Sequence, residues 1–187
     1  MSDKRELIIE AALKLFCEHG FQNTSTALIS KEAGVATGTL FLYFPTKEAL
    51  INALYMEAKK ELNAYLKEGI TKQKTTKLKL HHVWIRANEW AIDNQYAFKF
   101  IHMFSSSPYI SNVSRKKVAS TADFAEKFVQ AAIKEGTIAR IAVPLFFSIF
   151  DGLWSSTVNH MATLRGTKNK QKIIEQSFEI FWKGVCK

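Results

Sequence analysis

Apolar residues recur at helical spacing along most of this chain, and that period restricts its fold more than any other feature. The first apolar face lies near the amino terminus and is made of Leu7, Ile8, Ala11, Ala12, Leu15 and Phe16. Only three prolines and eight glycines interrupt the 187 residues, and no stretch of strand length alternates apolar and polar side chains. The sequence therefore predicts an all-α protein with about nine helices.

Capping residues and glycines predict where the helices begin and end. Asp3 with Glu6 three residues later is typical of a helix start, and Gly20 after His19 is typical of a helix end. The helices expected after this first one cover, in chain order, a short segment from 24–26 to 33–34, then 37–44, 47–66, 76–95, 97–105, 113–135, 139–165 and 170–185.

The charge of the chain does not identify a DNA-binding part. The formal net charge is +9, but residues 1–66 contain seven Lys and Arg against eight Asp and Glu, so the basic excess lies beyond them. The densest basic run consists of Lys67, Lys72, Lys74, Lys77 and Lys79. A run of this kind is more often a solvated face than a phosphate clamp.

The sequence lacks the features of several protein classes. It has no run of about 18 uncharged apolar residues and no signal peptide, so we expect a cytoplasmic protein that does not span a membrane. Cys17 and Cys186 show no metal-ligand spacing and are expected to be free thiols. His81 and His82 are adjacent and point about 100° apart on a helix, which is poor metal geometry. No catalytic motif occurs, so we expect no catalytic residue, metal, cofactor or enzymatic activity.

Two short helices joined by a turn at Gly34 form a helix-turn-helix candidate, since glycine adopts the left-handed conformation that such turns need. Helical hairpins are common in all-α proteins, but the residues around this one form a specific ordered series. The series is Gly20-Phe21, Thr24-Ser25-Thr26, Ile29-Ser30-Lys31-Glu32-Ala33-Gly34-Val35, Gly38-Thr39-Leu40-Phe41, Tyr43-Phe44 and Lys47-Glu48-Ala49-Leu50. It resembles the N-terminal domain of TetR/AcrR-family transcriptional regulators over about residues 5–55.

The resemblance implies a division into two domains. Residues 1–46 would form a three-helix DNA-binding domain with its helix-turn-helix at about 25–44. Residues 47–187 would form a helical ligand-sensing and dimerisation domain, with helix 47–66 as the connector. The function implied is that of a sequence-specific regulator, a repressor that a small hydrophobic ligand releases from a palindromic operator. A helical sensor or carrier without operator binding, and an activator on the same fold, are the alternatives.

In such a motif the second helix enters the major groove of double-stranded DNA. Leu40 and Phe44 lie one turn apart and are expected to anchor that helix to the first helix of the domain. The residues expected to approach the bases are Thr37, Gly38, Thr39 and Phe41. The residues expected to hold phosphates are Ser25, Thr26, Tyr43 and Lys47.

The sequence departs from the usual family pattern at four positions. Ala36 stands where a serine is common, so the recognition helix lacks that N-cap. Phe41 replaces a frequent tyrosine, and Leu28 replaces a common acidic residue. Ala27 stands where some members carry a base-reading arginine. Base readout is therefore expected to rest mainly on the helix 37–44.

Many aromatic residues lie between Trp84 and Trp154, and for any one of them a core position is the ordinary interpretation. Together with a few polar residues they also suit the apolar pocket that the resemblance implies for a hydrophobic, aromatic or acyl ligand. The residues expected to line it are Trp84, Asn88, Trp90, His102, Phe104, Phe128 and Phe147.

The last two helices carry broad apolar faces, which are expected to exceed what the core of one chain can bury. A four-helix bundle across a two-fold axis would bury them and would match the homodimer that the resemblance implies. The residues expected at this interface are Phe146, Phe150, Leu153, Thr157, Ile174, Phe178, Phe181 and Trp182.

Overall fold

A computed structural model describes residues 3–121, 123–164 and 167–186 of the chain. Over these ranges it shows ten α-helices, one short 3-10 turn and an isolated antiparallel bridge between Ile138 and Cys186. The helices are α1 (Lys4–His19), α2 (Thr26–Glu32), α3 (Thr37–Tyr43), α4 (Lys47–Lys67), α5 (Thr76–Asp93), α6 (Gln95–Phe104), α7 (Asn112–Thr121), α8 (Asp123–Lys134), α9 (Val143–Ala162) and α10 (Thr167–Val185), and the 3-10 turn covers Ile70–Lys72. The all-α prediction is confirmed.

The number of helices differs from the prediction because two helices, α7 and α8, occupy the segment where a single helix over 113–135 was expected. Asp123 and Glu126 lie in the first turn of α8, where acidic side chains favour a helix start, and the sequence interpretation overlooked this signal. Residue 122 of the expected helix 113–135 and residue 165 of the expected helix 139–165 lie outside the described ranges.

The ends of the first helices follow the local chemistry of the sequence. The Asp3 carboxylate accepts a hydrogen bond from the Arg5 amide at 3.2 Å and caps α1. Gly20, which follows α1, has φ +75°. Gly34, between α2 and α3, has φ +66°, as the helix-turn-helix interpretation requires.

The described helices group into two compact units. The first unit contains Met1–Glu61 and Asn94–Ala119, and the second contains Leu62–Asp93 and Ser120–Lys187. The expected division at residue 46 does not coincide with either unit, because α6 and most of α4 contribute to the first one. The grouping depends on packing between helices that are far apart in the sequence, and local sequence patterns do not reveal such packing.

The core of the first unit is built around α1, which packs against α2, α3 and α6. Phe16 of α1 lies 5.7 Å from Phe21 and 6.3 Å from Phe104, between ring centroids. Fully or almost fully buried members of this core come from five helices and are Ile8, Ala12, Phe16, Ile29, Leu40, Leu50, Ile51 and Phe100.

In the second unit, α5, α9 and α10 pack against one another. Trp84 of α5 lies at the centre of this packing: its indole Nε1 donates to the Ile174 carbonyl and to the Ser177 hydroxyl, each at 3.1 Å. Its ring stacks on Phe181 at 5.4 Å and meets Phe150 edge-on at 5.1 Å, between centroids. The indole N–H of Trp84 therefore has hydrogen-bond acceptors, and its ring has aromatic neighbours, within the core of the unit.

Within the ranges that the structure covers, no helix combines the length and the apolar character needed to cross a membrane. The same ranges hold no group of three or more His, Cys, Asp or Glu side chains placed to bind a metal ion.

Two glycines of the helix-turn-helix predict opposite effects of the same substitution. Gly34→Ala is expected to lower the free energy of unfolding by about 1 kcal/mol, because alanine strains the positive φ although no atom lies within 4 Å of the added Cβ. Gly38→Ala is the matched control: this glycine is helical with equally open space around it, so alanine should stabilise the protein by about 0.5–1 kcal/mol. Urea unfolding followed by circular dichroism measures both, and equal effects would contradict the role assigned to Gly34.

Candidate nucleic-acid interface

The helix α3 has one buried side and one exposed side. Leu40 is fully buried in the first unit and Phe44, just after the helix, is almost fully buried. Thr37, Gly38 and Phe41 lie on the exposed side. The predicted anchors therefore hold the helix from within, and the residues predicted to approach DNA bases face outward, except Thr39, which is half-buried.

The helices around this face differ in how they begin. Ser25 caps α2, since its hydroxyl accepts a hydrogen bond from the Leu28 amide at 3.1 Å. Thr46 does the same for α4 by accepting from the Ala49 amide at 3.0 Å, a cap that the sequence interpretation did not name. The N-cap of α3 is Ala36, which makes no side-chain capping bond, as the sequence predicts.

Lys47 makes contacts within the chain that the sequence did not predict, and its phosphate contact stays a prediction. Its ammonium donates to the carbonyls of Phe21 at 2.8 Å and Thr24 at 3.0 Å and lies 4.2 Å from the centre of the Phe21 ring. The prediction treated the side chain as free because its partners lie more than twenty residues away in sequence. Lys47 therefore joins the start of α4 to the turn between α1 and α2.

Other cations of the first unit are also engaged. Lys14 donates to the Glu32 carboxylate at 2.7 Å, and this hydrogen bond lowers the pKa of Glu32 and raises the pKa of Lys14. Arg5 forms an ion pair with Glu57, and the hydrogen bond that its guanidinium donates to that carboxylate raises the pKa of Arg5. The helix α3 itself carries no charged residue.

Leu42 is the exposed recognition-helix residue that the sequence interpretation missed. Its side chain is 85% exposed, and it lies one turn after Gly38 on the outward side of α3. The signal was present in the sequence, because the spacing that buries Leu40 places position 42 on the opposite side of the helix. The remaining predicted contacts, Ser25, Thr26 and Tyr43, lie at the start of α2 or at the end of α3.

The structure does not bring the residues predicted to line a ligand pocket into one unit. His102 and Phe104 belong to the first unit, where Phe104 packs on Phe16 and Phe100 and His102 lies 4.4 Å from Phe98. The other five residues belong to the second unit and are Trp84, Asn88, Trp90, Phe128 and Phe147. Phe104 is therefore a core residue of the first unit, and the other predicted pocket residues are divided between the two units.

The predicted dimer interface is wrong for most of its residues, because they are buried within a single chain. The apolar stripes of α9 and α10 pack on α5 and on each other. The predicted interface residues that are almost fully buried are Phe146, Thr157, Ile174, Phe178 and Phe181. The other three are half-buried, and they are Phe150, Leu153 and Trp182. These faces are the core of the second unit.

The geometry is that of a helix-turn-helix whose second helix, α3, is exposed along one side. Comparison with family models identifies the class further: residues 8–54 match the model of bacterial regulatory proteins of the tetR family. Residues 55–186 match the model of the tetracyclin repressor-like C-terminal domain. The chain belongs to the TetR family of DNA-binding transcriptional regulators.

Curated relatives agree with this assignment. The chain is 37% identical over 73 residues to the fatty acid metabolism regulator protein of Bacillus subtilis, a match that covers 39% of this chain and 38% of that protein. It is 26% identical over 179 residues to the regulator BetI of Vibrio campbellii, covering 91% of this chain and 83% of that protein. The match to the regulator YuxN of Bacillus subtilis, at 49% identity, covers 18% of that relative, so the first relatives are matched over less than half of their lengths.

Solved structures share the fold over the whole chain. A putative tetR family regulator from Shewanella sp. PV-4 is 28% identical with a TM-score of 0.89 and covers 100% of both chains. FadR of Bacillus subtilis, determined in complex with stearoyl-CoA, is 21% identical with a TM-score of 0.75 and covers 96% of this chain and 98% of that one.

The bonds of Lys47 predict a loss of stability when its ammonium is removed. Lys47→Met keeps much of the aliphatic stem but removes the ammonium donor from both carbonyls, and the Phe21 carbonyl then keeps only the Thr24 amide at 3.4 Å. The free energy of unfolding should therefore fall by about 1–2 kcal/mol without DNA. Lys31→Met is the control, since Lys31 is exposed on α2 and its loss should change stability by less than about 0.5 kcal/mol. Equal unfolding midpoints for Lys47→Met and the wild type would contradict the stabilising role assigned to the Lys47 ammonium.

Proposed function

We propose that this protein is a dimeric repressor that binds a palindromic operator in the cytoplasm and leaves it when a small hydrophobic ligand binds. The observation that carries the proposal is α3, anchored by Leu40 and exposed along its other side, within a chain of the TetR family. Selection of bound sequences from random duplex DNA tests it. Recovery of no preferred sequence by the folded protein would contradict operator binding.

The DNA contacts divide into two kinds. Thr37, Gly38, Thr39 and Phe41 are proposed to meet base edges in the major groove, because they lie on or beside the outward side of α3. Ser25, Thr26 and Tyr43 are proposed to meet the phosphate backbone and set the register of the helix. The Ser25 hydroxyl accepts a hydrogen bond from the Leu28 amide, so its own proton remains available to a phosphate.

The dimer is proposed to form through the sides of α9 and α10 that the chain itself leaves exposed. On α9 these residues follow the i, i+4, i+7, i+11 spacing of a single stripe, and they are Leu145, Ile149, Gly152 and Ser156. On α10 the stripe includes Ile180, which is 64% exposed, and Gly184 one turn later. No atom lies within 4 Å of a Cβ built on Gly152 or Gly184, so another helix has room to approach closely.

Charge introduced on this exposed stripe should separate the dimer. Ile149→Glu with Ile180→Glu is expected to give a folded monomer that loses specific operator binding, because one α3 reads too few base pairs. Leu78→Glu is the control: Leu78 is 45% exposed on α5, outside the stripe, and should leave a dimer. Sedimentation velocity measures the mass, and a double variant that remains dimeric at micromolar concentration would exclude this interface.

The ligand is proposed to bind in the second unit beside Asn88. This residue is fully buried, and its Nδ2 donates to the Trp84 carbonyl at 2.8 Å. A carbonyl only accepts, so the amide orientation is determined, and Oδ1 points where no hydrogen-bond donor of the described chain meets it. A buried acceptor without a donor is costly, which favours a bound molecule that donates to it. The stearoyl-CoA bound by FadR makes an acyl compound the first class to test.

The connection from this residue to DNA is proposed to run through α4. Arg86, half a turn from Asn88 on α5, donates to the Tyr65 carbonyl at 3.2 Å, and its guanidinium lies 3.4 Å from the centre of the Tyr65 ring. His82 bonds to the Glu68 carbonyl at 2.7 Å. A shift of α5 would therefore move the carboxyl end of α4, a continuous helix whose first residue is Lys47.

Operator DNA and ligand should weaken each other's binding by the same factor. An acyl compound that lowers operator affinity about tenfold must itself bind about tenfold more weakly to the operator complex. Asn88→Ala is expected to weaken that ligand about 2- to 10-fold without changing operator affinity, whereas Gln130→Ala, exposed on α8, changes neither. Fluorescence anisotropy and calorimetry measure the two equilibria, and equal ligand affinity with and without operator would remove the compound as an inducer.

A further inference from the structure

The outward surface of the helix-turn-helix carries several large apolar side chains. Four large apolar or aromatic side chains are exposed on α2 and α3, namely Leu28, Phe41, Leu42 and Tyr43. Leu42 has the highest exposed fraction among the large hydrophobic side chains that the structure describes as exposed. Solvent exposure of such a side chain is unfavourable by itself, so a bound partner with apolar groups would gain from covering it.

The chemistry of α3 also excludes the common ways of reading purines. The helix consists of Thr37-Gly38-Thr39-Leu40-Phe41-Leu42-Tyr43 and contains no arginine, lysine, asparagine or glutamine. Guanine is read mainly by arginine or lysine and adenine by asparagine or glutamine, through paired hydrogen bonds. The start of α2 adds Ala27 and Leu28, which are exposed and make no hydrogen bonds through their side chains.

One base offers an apolar group to the major groove. Thymine carries a 5-methyl group there, and alanine, phenylalanine and the methyl group of threonine are its usual partners. We propose, on the basis of the DNA-binding function proposed above, that the operator half-site presents thymine methyl groups to Phe41 and Leu42. The core of the half-site is then a run of A·T pairs whose thymines are read by apolar contact.

The positions of the side chains indicate how the reading is divided. Phe41 and Leu42 are neighbours on α3 and point about 100° apart, so they reach different base pairs. Thr37, one turn before Phe41, has both a methyl group and a hydroxyl, and the hydroxyl can donate to thymine O4. Gly38, one turn before Leu42, has no side chain to hold the helix away from the bases.

Deoxyuridine tests the proposal because it differs from thymidine by the methyl group alone and keeps the base pairing. In a duplex obtained by selection, each half-site thymine is replaced by uracil in turn, and affinity is measured by fluorescence anisotropy. Affinity should fall about fourfold at each contacted position, the value expected for one buried methyl group. At those positions a 5-methylcytosine·guanine pair should bind better than an unmethylated cytosine·guanine pair.

Variants assign the effect to this helix. Leu42→Ala should reduce the preference for thymine over uracil at one position, and Phe41→Ala at another, because alanine is too short to cover a methyl group at the distance set by the longer side chain. Circular dichroism should stay unchanged because both side chains are exposed. Leu78→Ala, exposed on α5, is the control and should keep the full preference. Tight sequence-specific binding with equal affinity for thymine and uracil at every position would overturn this proposal alone. Failure to select any duplex would overturn operator binding itself, and the apolar surface would then be a docking site for another protein.

Discussion

The recognition helix depends on contacts made from one side. A helix of seven residues does not persist in water by itself, because nucleation costs more than so few hydrogen bonds return. Burial of Leu40 therefore holds α3 in place, and the same burial leaves the opposite side of the helix exposed. The first unit is organised around this requirement: α1 packs on both helices of the motif, and α6 packs on α1.

The turn between α1 and α2 shows how a DNA-binding unit with little net charge is held together. Thr24 is fully buried and donates its hydroxyl to the Gly20 and Leu15 carbonyls, and Lys47 donates to two further carbonyls of this turn. Buried or half-buried carbonyls outside regular structure need such donors. A cation that satisfies a turn is less available to a phosphate, which supports the proposal that helix ends, hydroxyl groups and apolar contacts bind the DNA.

The aromatic residues of the second unit illustrate why composition alone does not distinguish a core from a pocket. The indole nitrogen of Trp84 donates to acceptors on α10, and its ring stacks on one phenylalanine and meets another edge-on. Trp84 therefore has partners for both its polar atom and its ring within the chain. Asn88, one turn later, has a partner for its nitrogen but not for its oxygen. Both residues are buried and both were predicted to line a pocket. Of the two, Asn88 has the atom without a hydrogen-bond partner, and this atom is the basis for proposing that Asn88 binds a ligand.

The sequence by itself determined the helical class, the family, the positions of α1 to α4, the left-handed turn at Gly34 and the missing cap at Ala36. These features follow from the helical spacing of apolar residues, from the chemistry of turns and caps, and from the order of residues in the motif. Each of these acts over a few residues and can be read from the sequence. The tertiary structure alone decided what covers the apolar faces of α9 and α10, and the residues Phe146, Phe178 and Phe181, predicted at an interface, are core residues. It also decided the partners of Lys47 and the membership of α6 in the first unit. Those outcomes depend on contacts between residues far apart in the chain, and an amphipathic helix shows that it has a face to bury without showing what will cover it.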